Sequence, residues 1–449
     1  MTYDYDIVFI GSGHASWHAA VTLAQSGKKV AVIEKDMTAG TCTNYGCNAK
    51  FLLDSPFEFL DGLDRYERAG IGTKGTISWE ELMAFKKREI PTYAPFMEGM
   101  FAQMNIDLLK GYGKLRDEHT VAVDDKAITA DYIVLGTGQR PARLNIEGKE
   151  LLHDSRAFLE LDSLPNRITF VGAGIISMEF ATMAVKLGSE VHIVEFADKA
   201  LAAYPENDVR TVVDKLRAEG VQFHFGQAVE KVEALEAGLL LTTAQGLVIE
   251  TDYVLDATGR IPNVENLGLE DLGIEYNRSG IVVNDYLQTA VPHIFASGDV
   301  VDKTIPRLTP TASFESDYIA DFILGVNEKP ISYPVVPNLV FTFPRIAQVG
   351  VTVAEAKADP DNYKIVEVPF GQQIKFQTKL EDEARFTLIV NKNKELAGAS
   401  LLSNEAGEMI NLITLMINQK LKAADLSQMI FAFPGTSNAL INAVKTALS

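Results

Sequence analysis

The chain has 449 residues, 47% of them hydrophobic and 22% charged, and a formal net charge of −19 at pH 7. This length predicts two or more domains, and the negative charge argues against nucleic acid or an anionic membrane as a partner. No apolar run is long enough to cross a bilayer, and two cysteines without a disulfide framework are typical of the reducing cytoplasm.

The first elements predict a dinucleotide-binding unit. An apolar strand at residues 6–10 begins so early that no secretory leader is expected. It is followed by a glycine turn, a helical pattern through residue 24, and a second strand at 30–33 that ends in an acid. The glycines let backbone approach a pyrophosphate at a helix N-terminus, and the acid accepts from a ribose hydroxyl. A small serine replaces the third glycine. These residues are Gly11, Gly13, Ser16 and Glu34.

Both cysteines, Cys42 and Cys47, lie in the next segment, GTCTNYGCNAK at residues 40–50. Five residues of regular helix separate two Cα atoms by roughly 8 Å, whereas a disulfide needs about 4.4–6.8 Å. A bridge therefore requires an irregular turn, which Gly46 can supply, and a strained bridge of this kind is readily reduced. The alternative is a pair of buried, inert cysteines.

A dinucleotide turn that leads into such a cysteine pair resembles the flavoprotein disulfide reductases, the class I pyridine nucleotide-disulfide oxidoreductases such as glutathione reductase, dihydrolipoamide dehydrogenase and mercuric reductase. The resemblance implies that FAD binds at the first turn. It makes Cys42 the thiol that attacks substrate, Cys47 the flavin-proximal thiol, and Lys50 the lysine near the flavin. The usual Ile-Pro before that lysine is Asn-Ala here. Further implied FAD contacts are Gly40, Thr41, Gly113, Thr137, Gly138, Asp299 and Thr309.

The middle of the first half is predicted to be helical. Residues 51–88 form an amphipathic pattern, and a second helix is expected at 94–104. A small antiparallel excursion follows, and then a strand at 131–135 that ends in a small-residue turn. That turn resembles the family's Ala-Thr-Gly segment.

Beyond a boundary at 164–166 the first pattern repeats. A strand at 168–171 leads into GAGIIS, and a strand at 191–194 ends in an acid. The same number of residues separates Gly11 from Glu34 and Gly172 from Glu195. Two matching fingerprints predict two dinucleotide sites, and the resemblance implies that the second holds a nicotinamide nucleotide. Its predicted residues are Gly172, Gly174, Glu195 and Gly259.

The acid of the second fingerprint predicts which nicotinamide binds. The carboxylate of Glu195 accepts from the adenosine 2′-hydroxyl and repels a 2′-phosphate. No arginine follows it in the sequence FADK, so NAD(H) is favoured over NADP(H). The resemblance also matches Glu179 to the glutamate that pairs with the lysine at Lys50.

The C-terminal part departs from the family. It resembles the family's dimerisation domain, which implies a homodimer in which each site borrows residues from its partner. The family's His-Pro-Thr-x-x-Glu motif supplies a general acid, but Phe433 and Asn438 stand at the histidine and glutamate positions. No histidine follows residue 293. Loss of a general acid typically costs about 10²–10⁴-fold in rate.

Together these observations predict an α/β fold with two Rossmann-like dinucleotide-binding domains, for FAD and NAD, and a C-terminal α+β dimerisation domain. The predicted function is an NADH-dependent FAD oxidoreductase that passes electrons through Cys42 and Cys47 to a disulfide, a metal ion or another small acceptor. Two alternatives stay open: a carbon–sulfur cleaving enzyme like 2-ketopropyl-coenzyme M oxidoreductase/carboxylase, which also has this phenylalanine, or a flavin redox sensor. No resident metal site is predicted. The expected domains are 1–145 with 264–332 (FAD), 146–263 (NAD) and 333–449 (dimerisation).

Overall fold

The computed structural model describes residues 3–72 and 75–449. Residues 1 and 2 of the predicted FAD domain and residues 73 and 74 of the predicted 51–88 helix lie outside the described residues. The strands are Tyr5–Ile10 (β1), Val30–Glu34 (β2), Asp107–Lys110 (β3), Gly113–Leu115 (β4), Thr120–Val123 (β5), Lys126–Leu135 (β6), Gln139–Pro141 (β7), Arg167–Val171 (β8), Glu190–Glu195 (β9), Gln222–Phe225 (β10), Val229–Ala234 (β11), Leu239–Thr243 (β12), Val248–Thr251 (β13), Tyr253–Asp256 (β14), Arg260–Pro262 (β15), Tyr276–Asn277 (β16), Gly280–Ile281 (β17), Ile294–Ala296 (β18), Asn338–Val340 (β19), Ile346–Gly350 (β20), Tyr363–Val368 (β21), Arg385–Asn391 (β22) and Leu396–Leu402 (β23). The helices are His14–Gln25 (α1), Gly40–Tyr45 (α2), Cys47–Tyr66 (α3), Trp79–Glu89 (α4), Tyr93–Gln103 (α5), Ser155–Phe158 (α6), Ile175–Lys186 (α7), Glu206–Glu219 (α8), Thr309–Ile323 (α9), Val353–Ala358 (α10), Ile374–Gln377 (α11), Ala406–Asn418 (α12), Ala423–Ser427 (α13) and Thr436–Leu448 (α14).

The chain divides into two compact units, and the first unit consists of Met1–Leu53, Glu81–Ala142 and Gly259–Tyr333. Its sheet has the order β3-β2-β1-β6-β5-β4, with β18 also paired to β6. Strands β3, β2, β1, β6 and β18 run parallel. The predicted antiparallel excursion is confirmed as β5 paired with the first half of β6, and β4 pairs with the other edge of β5. Strand β2 is buried along its whole length, as expected for parallel strands covered on both faces.

The glycine turn after β1 determines how α1 begins. Gly11 has φ +104°, a conformation that L side chains rarely adopt, and a Cβ there would lie 2.4 Å from the carbonyl oxygen of Gly136. Only glycine therefore fits this close approach. Helix α1 then packs the buried side chains of Ala19, Ala20 and Leu23 into the core of the unit. The predicted strand, turn, helix and strand are confirmed.

The second unit consists of Asp54–Glu80, Arg143–Thr258 and Pro334–Ser449. Its dinucleotide part has a parallel sheet of order β10-β9-β8-β14 and an antiparallel sheet of β11, β12 and β13. Gly172 repeats the role of the first turn: its φ is +94°, and a Cβ there would lie 2.9 Å from the carbonyl oxygen of Ala257. The internal repeat seen in the sequence is thus a repeat of backbone geometry.

The C-terminal part of the second unit is built on an antiparallel sheet of order β19-β20-β23-β22-β21. Phe370, Phe376 and Phe386 are fully buried in its core, and the ring centroids of Phe370 and Phe386 are 4.0 Å apart. Buried residues of α12 and α14 complete this core. The predicted fold class, two Rossmann-like parts with an α+β C-terminal part, is confirmed. The predicted boundaries of the three domains stay a prediction.

One helix prediction was wrong in extent. Residues 51–88 do not form a continuous helix: α3 starts earlier, at Cys47, and ends at Tyr66, and α4 begins at Trp79. A 3₁₀ turn at Glu67–Ala69 follows α3 and ends at Gly70, whose φ of +93° is left-handed. Glycine at such a position terminates a helix, and the amphipathic pattern alone does not indicate this stop. No helix in the described residues is long and apolar enough to cross a membrane.

Candidate active site

The two cysteines lie on either side of a break between two helices. Helix α2 ends at Tyr45, Gly46 has φ −138° and ψ −115°, and α3 begins at Cys47. The turn is tight, because a Cβ on Gly46 would lie 3.1 Å from the Thr41 carbonyl oxygen and 3.3 Å from the Cα of Cys42. The irregular turn predicted at Gly46 is therefore confirmed. Both cysteines are free thiols in this structure, and a disulfide in the oxidised protein stays a prediction.

The two thiols have opposite electrostatic environments. A hydrogen bond from the Cys42 thiol, with smaller effects of Thr309 and the charge of Lys50, lowers the pKa of Cys47 to about 6 against an opposing effect of burial. The Thr309 hydroxyl oxygen lies 3.7 Å from the Cys47 sulfur. The same hydrogen bond, together with burial, raises the pKa of Cys42. Near neutral pH the pair therefore consists of a Cys47 thiolate and a protonated Cys42.

Thr309 is also the first residue of α9, which places a helix N-terminus beside the thiolate. The preceding residue, Leu308, is extended and gives no side-chain cap to the helix. The first N–H groups of α9 are thus not satisfied by a capping side chain, and their partial positive charge stabilises nearby negative charge. A buried hydroxyl oxygen at Thr311, two residues further, has no hydrogen-bond partner.

The first dinucleotide turn fits a group that carries a pyrophosphate. Gly13 is the N-cap of α1, is extended, and has no side chain to cap the helix. Gly40 has φ +73°, and a Cβ there would lie 2.8 Å from the Cα of Gly13. Two backbone segments without side chains and an uncapped helix N-terminus together form a cradle for phosphate oxygens. The buried, unpartnered hydroxyl of Thr311 in the same unit also suits a bound polar group, and these features fit FAD.

Glu34 organises the loop around this turn. Its Oε2 accepts hydrogen bonds from the backbone N–H of Ser12 at 3.1 Å and from the Ser12 hydroxyl at 2.6 Å. Its Oε1 accepts from the backbone N–H of Asp36 at 2.8 Å. A carboxylate has about four lone-pair positions, so one remains for the predicted ribose hydroxyl.

The structure brings most of the predicted FAD contacts into one unit. Ser16 is fully buried, and a Cβ on Gly136 would lie 2.1 Å from its hydroxyl oxygen, so the small third residue does permit close helix–strand packing. Thr137 donates a hydrogen bond to the Asn263 carbonyl at 2.8 Å. Gly259, predicted for the nicotinamide site, also falls in this first unit. The predicted FAD and dithiol residues in the first unit are Gly11, Gly13, Ser16, Glu34, Gly40, Thr41, Cys42, Cys47, Lys50, Gly113, Thr137, Gly138, Asp299 and Thr309.

The second unit holds the predicted nicotinamide residues Gly172, Gly174, Glu179 and Glu195. Gly174 is an extended N-cap without a side-chain cap, as in the first turn. Glu195 accepts from the backbone N–H groups of Ala173 at 2.6 Å and Ala197 at 2.8 Å.

Glu179 is buried on α7 in the same unit, and its Oε1 accepts from the backbone N–H of Phe341 at 2.9 Å. Lys50 belongs to the other unit, so the predicted Lys50–Glu179 pair stays a prediction.

At the C-terminal segment that differs from the family motif, the structure shows a contact with Lys375 that the sequence did not reveal. Phe433 is 77% exposed, and the Nζ of Lys375 lies 4.9 Å from the centroid of its ring. Lys375 also donates a hydrogen bond to Asn438 Oδ1 at 3.0 Å. The two positions of the missing motif are therefore linked through one ammonium group. No local sequence signal could have found Lys375, because it reaches them only through the tertiary fold.

Comparison with known proteins agrees with this geometry. A sequence model of the family described as pyridine nucleotide-disulphide oxidoreductase matches residues 5–316, and a model of its dimerisation domain matches residues 336–444. The chain is 30% identical to glutathione reductase of Nostoc sp. over 98% of this chain and 99% of that protein. It is 30% identical to mercuric reductase of Staphylococcus aureus, over 94% of this chain and 79% of that protein.

A solved structure is similar over nearly the whole length. It is the Cu(II) complex of the HOCl-induced flavoprotein disulfide reductase RclA from Escherichia coli. The TM-score is 0.88 at 27% identity, covering 97% of this chain and 98% of that chain. The match at residues 336–444 supports the predicted homodimer.

We expect Cys47 in the reduced protein to become a thiolate at unusually low pH. Replacing Cys42 leaves Cys47 as the single cysteine, so its alkylation rate by iodoacetamide can be followed against pH. In Cys42→Ser a hydroxyl still donates to the sulfur, and the midpoint should stay near the pKa of about 6. In Cys42→Ala that donor is lost, and the midpoint should rise toward the usual thiol range of about 8.5. Equal midpoints in the two variants would contradict the hydrogen bond as the main cause.

Proposed function

We propose, from the premise that the chain belongs to the pyridine nucleotide-disulphide oxidoreductase family, that it passes electrons from NADH through FAD and the Cys42–Cys47 dithiol to a metal ion. Members of this family are FAD-dependent enzymes, and this chain is a flavoprotein oxidoreductase of that class. The observation that carries the proposal is the dithiol, which combines a stabilised thiolate at Cys47 with a protonated Cys42. When bound, FAD supplies hydride acceptance from the nicotinamide and two-electron exchange with the dithiol.

The residues at the end of β9 support NADH as the electron donor. The Glu195 carboxylate is held in place by two backbone N–H groups, of Ala173 and Ala197. A 2′-phosphate at this position would meet the negative charge of that carboxylate. The next side chain, Phe196, is 78% exposed and carries no charge. No arginine follows Glu195 in the stretch FADK, whose single cation, Lys199, lies next to the acid Asp198 in the sequence.

Proton balance favours a metal ion as the acceptor. Reduction of a disulfide substrate consumes two protons, and the family's histidine, which would deliver them, is Phe433 here. When a reduced dithiol reduces two Cu(II) ions to Cu(I), one S–S bond forms, two electrons leave, and the one proton held by Cys42 is released, because Cys47 is already a thiolate. This reaction needs no general acid on the acceptor side. Relatives named mercuric reductase and a relative solved as a Cu(II) complex support an acceptor of this class.

Lys375 fits the same proposal. The side chain of Lys375 lies against Phe433 and donates a hydrogen bond to Asn438, so the motif positions hold no imidazole, the side chain suited to proton exchange near neutral pH. The phenylalanine ring itself has no group that could donate or accept a proton. Both features disfavour protonation of a leaving thiolate, whereas neither hinders electron transfer from the dithiol to a metal ion.

The dithiol itself is tested by single replacements. Cys42→Ser and Cys47→Ser should each lower NADH-dependent Cu(II) reduction by at least about 10²-fold, because one remaining thiol cannot form the disulfide. Reduction of bound FAD by NADH, followed by stopped-flow absorbance, should survive in both variants. Cu(II) reduction that persists in both variants would show that the dithiol is not the route. Negligible Cu(II) turnover by the unmodified protein would instead favour a redox sensor.

The nicotinamide preference gives a second test. Anaerobic FAD reduction should be much faster with NADH than with NADPH, and Glu195→Ala should narrow this preference because the repulsive carboxylate is gone. Asp198→Ala, which removes a nearby exposed acid, is the matched control and should leave the preference unchanged. Comparable rates with the two nucleotides in the unmodified protein would contradict the assignment.

Restoring the family motif tests the role of Phe433. Glutathione disulfide should be a poor substrate, and Phe433→His with Asn438→Glu should raise its turnover by about 10²-fold, since a general acid is regained. Phe433→His alone is the control and should give a smaller gain, because no carboxylate orients the imidazole. High disulfide turnover in the unmodified protein that the double replacement does not change would disprove this interpretation.

A further inference from the structure

Three side-chain atoms of the first unit converge where α1 packs against α9. His14 and His18 lie one turn apart on α1, and Ser313 lies in the first turns of α9. His14 Nδ1 is 3.2 Å from His18 Nε2. The hydroxyl oxygen of Ser313 is 2.9 Å from His18 Nε2 and 3.4 Å from His14 Nδ1. Two ring nitrogens and one hydroxyl oxygen thus form a nearly equilateral triangle.

The edges of this triangle match those around a bound metal ion. Ligand atoms about 2.0–2.2 Å from a cation are separated by about 2.9 Å at right angles and by about 3.4 Å at tetrahedral angles. The three observed separations, 3.2, 2.9 and 3.4 Å, span the same range. An ion placed slightly above the plane of the three atoms would reach all of them without movement of either helix.

The ligands are held by rigid surroundings. The ring of His18 stacks on Trp17 with a centroid distance of 3.6 Å. The two helices are tied one turn away by a hydrogen bond of 2.9 Å from the Ala19 N–H to the Ser316 hydroxyl.

We propose that His14, His18 and Ser313 form a binding site for a divalent transition-metal ion of the copper and zinc class, with water completing the coordination. Two imidazoles select this class, whereas calcium and magnesium prefer sites built from oxygen alone. The site is separate from the dithiol and does not depend on the proposed electron acceptor. Within the described residues no three His, Cys, Asp or Glu side chains form a metal cluster. The proposed site is not such a cluster because its third ligand is the hydroxyl oxygen of a serine, Ser313.

A second histidine pair provides a matched control. His192 Nδ1 and His224 Nε2 are 3.0 Å apart in the second unit, so they are as close as the first pair. The other ring nitrogen of His192 instead contacts Glu190 at 3.1 Å, and among the described residues these side chains belong to no cluster of three His, Cys, Asp or Glu that could hold a metal. Removing His224 should therefore not affect metal binding at the proposed site.

The test uses full-length, FAD-loaded protein that carries Cys42→Ser and Cys47→Ser, so that no thiol binds or reduces the probe. Cu(II) titration followed by electron paramagnetic resonance should show one bound ion with splitting from two nitrogens. His18→Ala should weaken binding by at least about 10-fold, while His224→Ala should not. FAD content and thermal melting establish that His18→Ala still folds. If binding is not saturable, or if it is lost in His224→Ala instead, the proposal is wrong. The three side chains then only form hydrogen bonds between α1 and α9.

A gain-of-function variant keeps the test decisive if His18→Ala does not fold. Ser313→Cys in the same background adds a thiolate ligand at the third corner and is the single cysteine of the chain. Titration with Co(II) should then give a sulfur-to-metal charge-transfer band and tighter binding than with serine. His224→Ala in this variant should leave the band intact. If the band does not appear, the three atoms do not share one ion, and the proposal is wrong.

Discussion

The architecture depends on the close approach of two stretches of backbone at a turn that tolerates no side chain. At Gly11 the chain passes so near the Gly136 carbonyl that a single methyl group would collide with it. This contact brings the start of α1 to the carboxyl ends of the parallel strands, where uncapped N–H groups are available to an anion. The same constraint recurs at Gly172 against Ala257. One steric solution, used twice, therefore forms both of the turns at which nucleotides are predicted to bind.

The dithiol is adjusted by its immediate neighbours rather than by long-range charge. A break in the helix at Gly46 lets one thiol donate to the other, so the proton stays on Cys42 and the charge on Cys47. The same arrangement makes the two sulfurs chemically unequal before any substrate arrives. A protonated Cys42 beside an ionised Cys47 suits a centre that stores two electrons and releases both when its disulfide forms.

Sequence reasoning succeeded where function imposes a fixed local pattern. The glycine spacings, the acids at the ends of β2 and β9, and the irregular turn between the cysteines were all visible, because each is encoded within a few residues. It failed where the cause lies in tertiary structure or in one backbone angle. Gly70 stopped a helix that the amphipathic pattern extended. Lys375 and Ser313 meet their partners only after folding, since each lies far along the chain from Phe433 or His14.

The exposed end of the C-terminal domain has a consequence for the life of the newly made chain. Ile430 is 100% exposed and Phe433 is 77% exposed, and clustered large apolar side chains at the surface mark contact regions. An exposed apolar segment of this kind also attracts chaperones and other unfolded chains. If the proposed homodimer covers it, pairing competes with aggregation in the newly made chain. The rate of synthesis would then affect the yield of folded protein independently of its catalytic chemistry.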